Sequence, residues 1–199
     1  ASAIMMGWIG EIPLAAHGIA LQLASLTFMV HIALSQSATV RAGRAVGRRD
    51  AVGLRRGGIA ATAMSGCFVA VTIFVFLVFP GPLIGVFIDT TSPVRGEILT
   101  LGTQLLALAA LFQLVDAAQV MALGLLRGVQ DTAVPMVIAA ISYWVIAIPA
   151  SYLLAFTFGY GPQGLWLGLV IGLTFAAAAL TWRFWTGAQR HFVPEGTAA

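Results

Sequence analysis

The chain has 199 residues, of which 60% are hydrophobic and only 9% are charged, and its mean hydropathy is +0.97. Soluble domains carry roughly 25% charged residues, so this composition excludes an ordinary soluble domain and predicts a membrane protein. The formal net charge is +3, every basic residue is an arginine, and the single cysteine, Cys67, excludes a disulfide within the chain.

Long uncharged runs predict membrane spans, because a helix needs about 20 apolar residues to cross the hydrocarbon core of a bilayer. Residues 1–9 are apolar but short, and they predict the tail of a span that begins before this sequence. Five runs of full length follow, at residues 12–40, 57–80, 97–126, 133–157 and 163–185. The breaks between them include three groups of glycine and proline, GEIP at 10–13, FPGP at 79–82 and GYGP at 159–162.

These runs predict an all-α, polytopic transmembrane helix bundle with five full spans plus the tail of a sixth. The connections are short, so neighbouring helices should be antiparallel and no soluble domain is expected. We predict a transmembrane lobe over residues 1–186 and a polar cytoplasmic tail over residues 187–199.

The arginines predict which ends of the spans face the cytoplasm. Nine of the ten lie on alternate connections and in the tail, at Arg41, Arg44, Arg48, Arg49, Arg55, Arg56, Arg127, Arg183 and Arg190. Only Arg95 lies on the other side. This bias predicts a cytoplasmic C-terminus. The segment RAGRAVGRRDAVGLRR at 41–56 is therefore interpreted as a topological signal that also attracts anionic lipid headgroups, and not as a nucleic-acid site.

Asp116 is the one charged residue in the interior of the predicted spans, since Glu97 and Arg183 lie at span ends. It lies ten residues before Leu126, which at 1.5 Å per residue places it about 15 Å deep, near the middle of the bilayer. A carboxylate there costs about 2.5 to 3.5 kcal/mol on insertion scales, so it should face a protein or water-lined interior. Gln113 and Gln119, three residues to either side, should share its face.

Two interpretations of Asp116 remain open from its position alone. A protonated acid could hydrogen-bond between helices and serve only packing. Alternatively, an incoming proton or cation compensates the charge of the desolvated carboxylate, which makes the residue an ion switch. We favour the ion switch, because a glutamine or serine would serve packing at a lower cost. Sodium could bind at Asp116, and no other metal site is expected.

Several other residues suggest packing or a transport path. Tyr143 and Trp144 lie near mid-span, away from the interfaces that these aromatic residues usually prefer, and would either line a path for aromatic cations or belong to the core. Pro149 should kink its span. His17 and His31 are expected to serve helix packing or hydrogen bonding. Close helix approach is expected at Gly164, Gly168 and Gly172.

No enzyme motif occurs in the chain, such as H-E-x-x-H, G-x-S-x-G or a phosphate-binding glycine loop, so we expect neither an enzyme nor a cofactor beyond a coupling ion.

Five segments together resemble the multidrug and toxic compound extrusion (MATE) family, and most closely its bacterial NorM-type branch. The segments are LAAHGIA at 14–20, SATVRAGRAVGRRD at 37–50, LFQLVDAAQVMALGLLRGVQDT at 111–132, YWVIAIPASYLL at 143–154 and GPQGLWLGLVIGL at 161–173. The resemblance implies two six-helix lobes around a central cavity, of which this chain is similar to the second, C-terminal lobe. It also implies that Asp116 is the cation-linked acid of that lobe. The family usually carries another acid in the first helix of this lobe, before the place where this sequence starts, and Glu11 is not expected to replace it because it should lie in a loop.

The resulting hypothesis is a proton- or sodium-coupled antiporter of the bacterial inner membrane that exports amphipathic, often cationic drugs and toxic compounds. Asp116 would exchange the ion, while Gln113, Gln119, Tyr143 and Trp144 would line the ion or substrate cavity. The expected partners are these small molecules, membrane lipid and the missing N-terminal lobe. Two alternatives are a flippase for a lipid-linked precursor and a non-transporting membrane assembly subunit.

Overall fold

The structure is a computed structural model that describes residues 2–187, and within this range it contains helices and no strands. This result confirms the predicted all-α class. The helices, in chain order, are α1 (Ser2–Ile9), α2 (Glu11–Gly47), α3 (Ala51–Val78), α4 (Pro80–Gly85), α5 (Arg95–Gly128), α6 (Ala133–Thr157) and α7 (Gly161–Gly187). Nearly all of the predicted polar tail, 187–199, lies outside the described residues.

Five of these helices are long and apolar enough to cross a membrane, namely α2, α3, α5, α6 and α7. The predicted number of full spans is therefore confirmed. The first helix, α1, has only 8 residues, and α4 has only 6. The chain is a multi-pass membrane protein built from antiparallel helices with short turns.

The helices α2 and α3 extend beyond the predicted span limits at residues 40 and 57, because charged residues end a hydrophobic run without ending a helix. The arginine-rich segment is helical apart from a tight turn at Arg48–Asp50. Arg49 has a positive φ of 54° in this turn. The Asp50 carboxylate accepts a hydrogen bond of 2.7 Å from the Gly53 N–H and caps the first turn of α3.

The break between α1 and α2 is limited to Gly10, whose φ of 154° interrupts the helix. Hydrogen bonds continue on both sides, from Gly10 N to Met6 O at 3.2 Å and from Leu14 N to Gly10 O at 3.1 Å. The expectation that Glu11 lies in a loop was wrong, because Glu11 is the first residue of α2. An acidic side chain in the first turn of a helix is favoured by the exposed N–H groups there.

The helix that carries Asp116, α5, lies at the centre of the bundle and packs against α2, α3 and α7. Its contact with α2 is close because two glycines of α5, Gly124 and Gly128, have no side chain where α2 passes. The Ser35 hydroxyl donates to the Val120 carbonyl at 2.7 Å, and the Thr39 hydroxyl donates to the Gly124 carbonyl at 2.8 Å. These bonds position α5 against α2 over the half of the bundle that contains the arginine-rich turn.

The helix α6 packs closely against the glycines of α7, as expected for close approach of two helices. A methyl group at Gly164 would lie 2.6 Å from the Leu154 carbonyl, and one at Gly172 would lie 2.8 Å from the Ser142 carbonyl oxygen. The Ser151 hydroxyl also donates to the Leu165 carbonyl at 2.9 Å. The glycine series therefore serves packing within this bundle.

Two π-helical segments flank Pro149 in α6, at Ile141–Ala147 and Leu153–Thr157, and the predicted kink stays a prediction. Proline has no N–H to donate, and its ring crowds the carbonyl four residues earlier. The wider π turns leave room around this residue while preserving one continuous helix from residue 133 to 157.

Candidate functional site

Asp116 lies on α5 and is partly buried inside the bundle. Within residues 2–187, the carboxylate has no hydrogen-bond donor and no arginine or histidine partner. An acid inside a helix bundle is normally paired with a hydrogen-bond donor or an opposite charge, and Asp116 has neither in the described range. It differs in this from Ser35, Thr39 and Gln113, whose side chains hydrogen-bond to a neighbouring helix.

Gln119 of α5 and Tyr143 of α6 form a polar contact between these two helices. The Tyr143 hydroxyl lies 3.3 Å from Gln119 Nε2 and 3.4 Å from Gln119 Oε1, which is long for a hydrogen bond. Gln119 is buried, whereas 39% of Tyr143 is exposed. Asp116 lies three residues before Gln119, which is nearly one turn of α5. The structure thus brings two of the predicted site residues, Gln119 and Tyr143, into contact.

Gln113 faces a different helix from Gln119. Its Nε2 donates to the Ala24 carbonyl at 2.7 Å and to the Thr27 hydroxyl, both on α2. Its side chain is 0% exposed, and its Oε1 atom has no hydrogen-bond partner in the described range. The expected common face of the two glutamines is therefore divided, with one glutamine directed at α2 and the other at α6.

Tyr143 and Trp144 line a cavity of about 290 Å³ between α1, α6 and α7. The remaining lining residues are small or apolar: Ser2, Met5, Ala147, Ile148, Ser151, Leu165 and Leu169. Trp144 is 73% exposed although it lies near the middle of a span. Asp116 is not among the lining residues, so the cavity and the acid are separate places in the bundle.

The two histidines of α2 lie in the core and are separate from Asp116. His31 Nδ1 is 2.8 Å from the Ser65 hydroxyl of α3, which joins these helices by a hydrogen bond. The His17 ring packs edge-on against Trp166 with 5.5 Å between ring centroids. No group of three or more His, Cys, Asp or Glu side chains suitable for a metal ion occurs in residues 2–187.

Sequence reasoning missed an exposed polar face on α2. This face consists of three exposed side chains, Gln22, Ser25 and Gln36. Ser25 comes 3 residues after Gln22, and Gln36 comes 14 residues after Gln22. Both spacings are close to whole helical turns, so the three side chains lie on the same side of α2. Counting only charges along the span hid these uncharged side chains. A test for 3.6-residue periodicity in hydroxyl and amide residues would have found them.

The comparisons with known proteins agree with the fold and the span count. A family model described as MatE matches residues 1–153. A "Probable multidrug resistance protein NorM" of Rhizobium meliloti (strain 1021) is 45% identical over 92% of this chain and 39% of its own length. The protein described in the same words from Brucella suis biovar 1 (strain 1330) is 44% identical over 100% of this chain and 41% of its own length.

Solved structures share the fold at low sequence identity. An outward-facing multidrug resistance MATE family transporter of the MOP superfamily aligns with a TM-score of 0.80 and 20% identity, over 95% of this chain and 41% of that chain. The eukaryotic MATE transporter AtDTX14 aligns with a TM-score of 0.74 and 20% identity, over 91% of this chain and 40% of that chain. This chain spans about 40% of the length of the relatives that it matches. Because the family model covers most of the chain, the chain belongs to the MatE family.

Proposed function

We propose that this chain is one lobe of a secondary antiporter, which exports amphipathic, often cationic compounds while protons or sodium ions flow inward. Asp116 exchanges the coupling ion. The NorM relatives are described as multidrug resistance proteins, which supports a role in drug export. The activity belongs to the whole transporter, since this lobe corresponds to about 40% of its relatives.

The unpartnered carboxylate of Asp116 is the observation that carries the proposal. A residue kept only for packing would form a hydrogen bond to a neighbouring helix, as the Gln113 Nε2 atom does with the Ala24 carbonyl of α2. Asp116 has no such partner in the described chain, so its charge is left for a mobile ion to compensate. Gln119 and Tyr143 set the solvation of that charge.

One ion per cycle supplies enough free energy for useful export. A proton that moves down 100 mV and one pH unit releases about 3.7 kcal/mol, which supports a solute gradient of several hundredfold. To use that energy, the ion and the solute must each bind the inward- and outward-open states with different affinity. We assign the state-dependent binding of the ion to Asp116.

The exposed polar face of α2 supports a water-lined substrate path. Amide and hydroxyl groups at Gln22, Ser25 and Gln36 would be costly against lipid tails. We assign this face to the cleft between this lobe and a second lobe of the same protein. The arginines within the described range lie at helix ends and turns, away from mid-span, which favours drug-type solutes over anionic lipid-linked precursors.

The arginine bias supports a defined orientation. The segment 41–56, which contains the turn between α2 and α3, carries six of the ten arginines, whereas the loop between α4 and α5 ends at Arg95. We assign the first of these to the cytoplasm and the second to the opposite face of a bacterial inner membrane. The C-terminus then lies in the cytoplasm, and the protein acts as a transporter without enzymatic chemistry or an organic cofactor.

The decisive experiment replaces Asp116 with asparagine in the full-length transporter. Energised vesicles are tested for drug transport under a pH gradient and, separately, under a sodium gradient. We expect Asp116→Asn to remove gradient-driven transport, with a loss of at least about tenfold, while the protein still folds and inserts. The gradient that drives the wild type identifies the coupling ion.

Asp89→Asn is the matched control, because it makes the same chemical change in the exposed loop before α5. Hydrogen bonds from the Thr91 N–H and hydroxyl lower the pKa of Asp89, so this acid is ionised and locally satisfied. We expect it to transport like the wild type. If Asp116→Asn transports equally well, Asp116 is a packing residue and the proposed coupling is wrong.

A further inference from the structure

The helix α3 has a buried face and an exposed face on opposite sides. Its buried side chains lie on the first of these, at Leu54, Gly58, Ser65, Val69, Thr72 and Phe76. The exposed face begins at Arg56 and continues with small side chains at spacings of three or four residues. These small residues, which we call the α3 groove, are Ala60, Ala63, Cys67 and Ala70. No part of the chain that the structure describes covers them.

The groove has the length of one lipid chain. Larger exposed side chains border it, with Ile59 on one side and Met64 and Val71 on the other. Cys67 comes eleven residues after Arg56, a distance of about 16 Å along the helix. One leaflet contributes about half of the 30 Å hydrocarbon core. An acyl chain that starts at the arginine therefore ends near Cys67.

Two arginines lie at the polar end of the groove. Arg55 and Arg56 are both exposed, and neither forms an ion pair within residues 2–187. Asp50, the carboxylate nearest to them in the sequence, already accepts a hydrogen bond from the Gly53 N–H. Neighbouring guanidinium groups without a counter-charge favour a phosphate, to which they donate pairs of hydrogen bonds. The polar end thus suits an anionic headgroup.

Two tryptophans of α7 indicate the depth of these arginines in the membrane. The helix α7 ends beside the first turns of α3, where a methyl group at Gly58 would lie 3.5 Å from the Trp185 ring. Trp182, about one turn earlier, is 72% exposed. Tryptophan is enriched where the hydrocarbon core meets the headgroups. The beginning of α3 therefore lies at the level of the lipid phosphates.

We propose that the α3 groove binds an anionic phospholipid, whose phosphate contacts Arg55 and Arg56 and whose acyl chain extends to Cys67. A zwitterionic phospholipid binds more weakly, because these arginines repel its ammonium group. The site is separate from Asp116, and its occupation does not depend on ion coupling. A general attraction of lipid to all six arginines of segment 41–56 would show no preference for this groove.

A second copy of the chain fits this face less well than a lipid. Two copies inserted in the same membrane share one orientation, so a two-fold contact through α3 would bring Arg55 and Arg56 of both copies together. Like charges oppose such a contact. The second lobe is assigned to the exposed polar face of α2, which leaves the apolar groove for lipid.

The test measures which lipid lies next to Cys67. A full-length variant in which Cys67 is the only cysteine is labelled with bimane and placed in phosphatidylcholine nanodiscs. Small amounts of phosphatidylglycerol or phosphatidylcholine with a nitroxide near the end of one acyl chain are then added. We expect half-maximal quenching of bimane at an about tenfold lower fraction of labelled phosphatidylglycerol, since each arginine adds to the attraction.

The arginine variants separate a bound lipid from a general attraction. Replacing Arg55 and Arg56 with glutamine should remove the preference for phosphatidylglycerol. The matched control replaces Arg41 and Arg44, two exposed arginines of α2, with glutamine and should keep the preference within about threefold. Equal losses in the two double variants would show that the whole basic segment attracts lipid and that no site exists on α3.

Ala63→Phe tests the groove without changing the charge. The added ring occupies the path of the acyl chain at an exposed position, so the preference should fall severalfold while the protein folds normally. Ala178→Phe makes the same change at an exposed alanine of α7 and should have no effect. An unchanged preference in Ala63→Phe would contradict the groove.

Three further results would overturn the proposal. Equal quenching by the two labelled lipids would mean that the groove does not select an anionic headgroup. Loss of the preference on addition of inorganic phosphate, at constant ionic strength, would indicate a site for a soluble anion. A Cys67 that does not react with bimane in the full-length protein would show that the second lobe or another copy covers this face.

Discussion

At the scale of single residues, three polar side chains on α5 occupy three different environments. Gln113 is fully buried and bonded to α2, Gln119 meets Tyr143 of α6, and Asp116 between them has no partner within residues 2–187. Their spacing of three residues turns successive side chains by about 60° around the helix, which is enough to face different neighbours. The differences suggest a packing role for Gln113 and an ion role for Asp116.

Gln113→Ala should lower the free energy of unfolding of the full-length transporter by about 2 kcal/mol. The change removes two hydrogen bonds to α2 and leaves a cavity at a site with no exposure. Reversible unfolding in mixed micelles measures the loss. Gln104→Ala is the control, since Gln104 bonds only to Gln163 in an exposed position. Equal stability of the two variants would contradict the packing role.

At the scale of helices, the pair α6 and α7 depends on backbone contact. Glycines of α7 leave no room for side chains where α6 passes, and Ser151 of α6 bonds to a carbonyl of α7. The π-helical segments around Pro149 belong to the same close contact. This pairing holds α6 mainly on α7, so Tyr143 reaches α5 across a weak contact.

Gly172→Val should destabilise this pair by about 1 to 3 kcal/mol, because the new side chain overlaps Ala147 and the Ser142 carbonyl. Gly66→Val provides the matched control on α3, where a methyl group meets nothing within 4 Å. Thermal unfolding in detergent separates the two variants. A Gly172→Val protein as stable as Gly66→Val would show that α6 does not depend on this contact.

At the scale of the whole molecule, the chain is an assembly of five full spans with basic residues concentrated at one end. The exposed polar face of α2 and the coverage of about 40% of its relatives support the proposed second lobe across a common cleft. The orientation assigned to the bundle follows from the arginines and is open to a direct test.

Cysteine labelling tests this orientation in a Cys67→Ala background of the full-length protein. A cysteine at Arg48 lies in the α2–α3 turn and should react with a membrane-impermeant maleimide only after the cells are permeabilised. A cysteine at Asp89 lies in the α4–α5 loop and should react in intact spheroplasts. The reverse pattern would place the C-terminus outside the cytoplasm.

The sequence by itself determined the class, the number of spans and the unusual status of Asp116, because apolar length and the cost of a buried charge depend on local composition. It also carried the family resemblance, which the family model and the NorM relatives confirm. The ends of α2 and α3 were placed less well, since a helix continues beyond the apolar run into water and headgroups.

Only the tertiary structure decided which neighbour each polar side chain meets. Sequence spacing placed Gln113 and Gln119 on one face, but the packing of α2 on one side and α6 on the other separated them. The glycines of α7 predicted close approach without identifying α6 as the partner. Contacts between helices depend on how the bundle fills space, and that arrangement is a property of all the helices together.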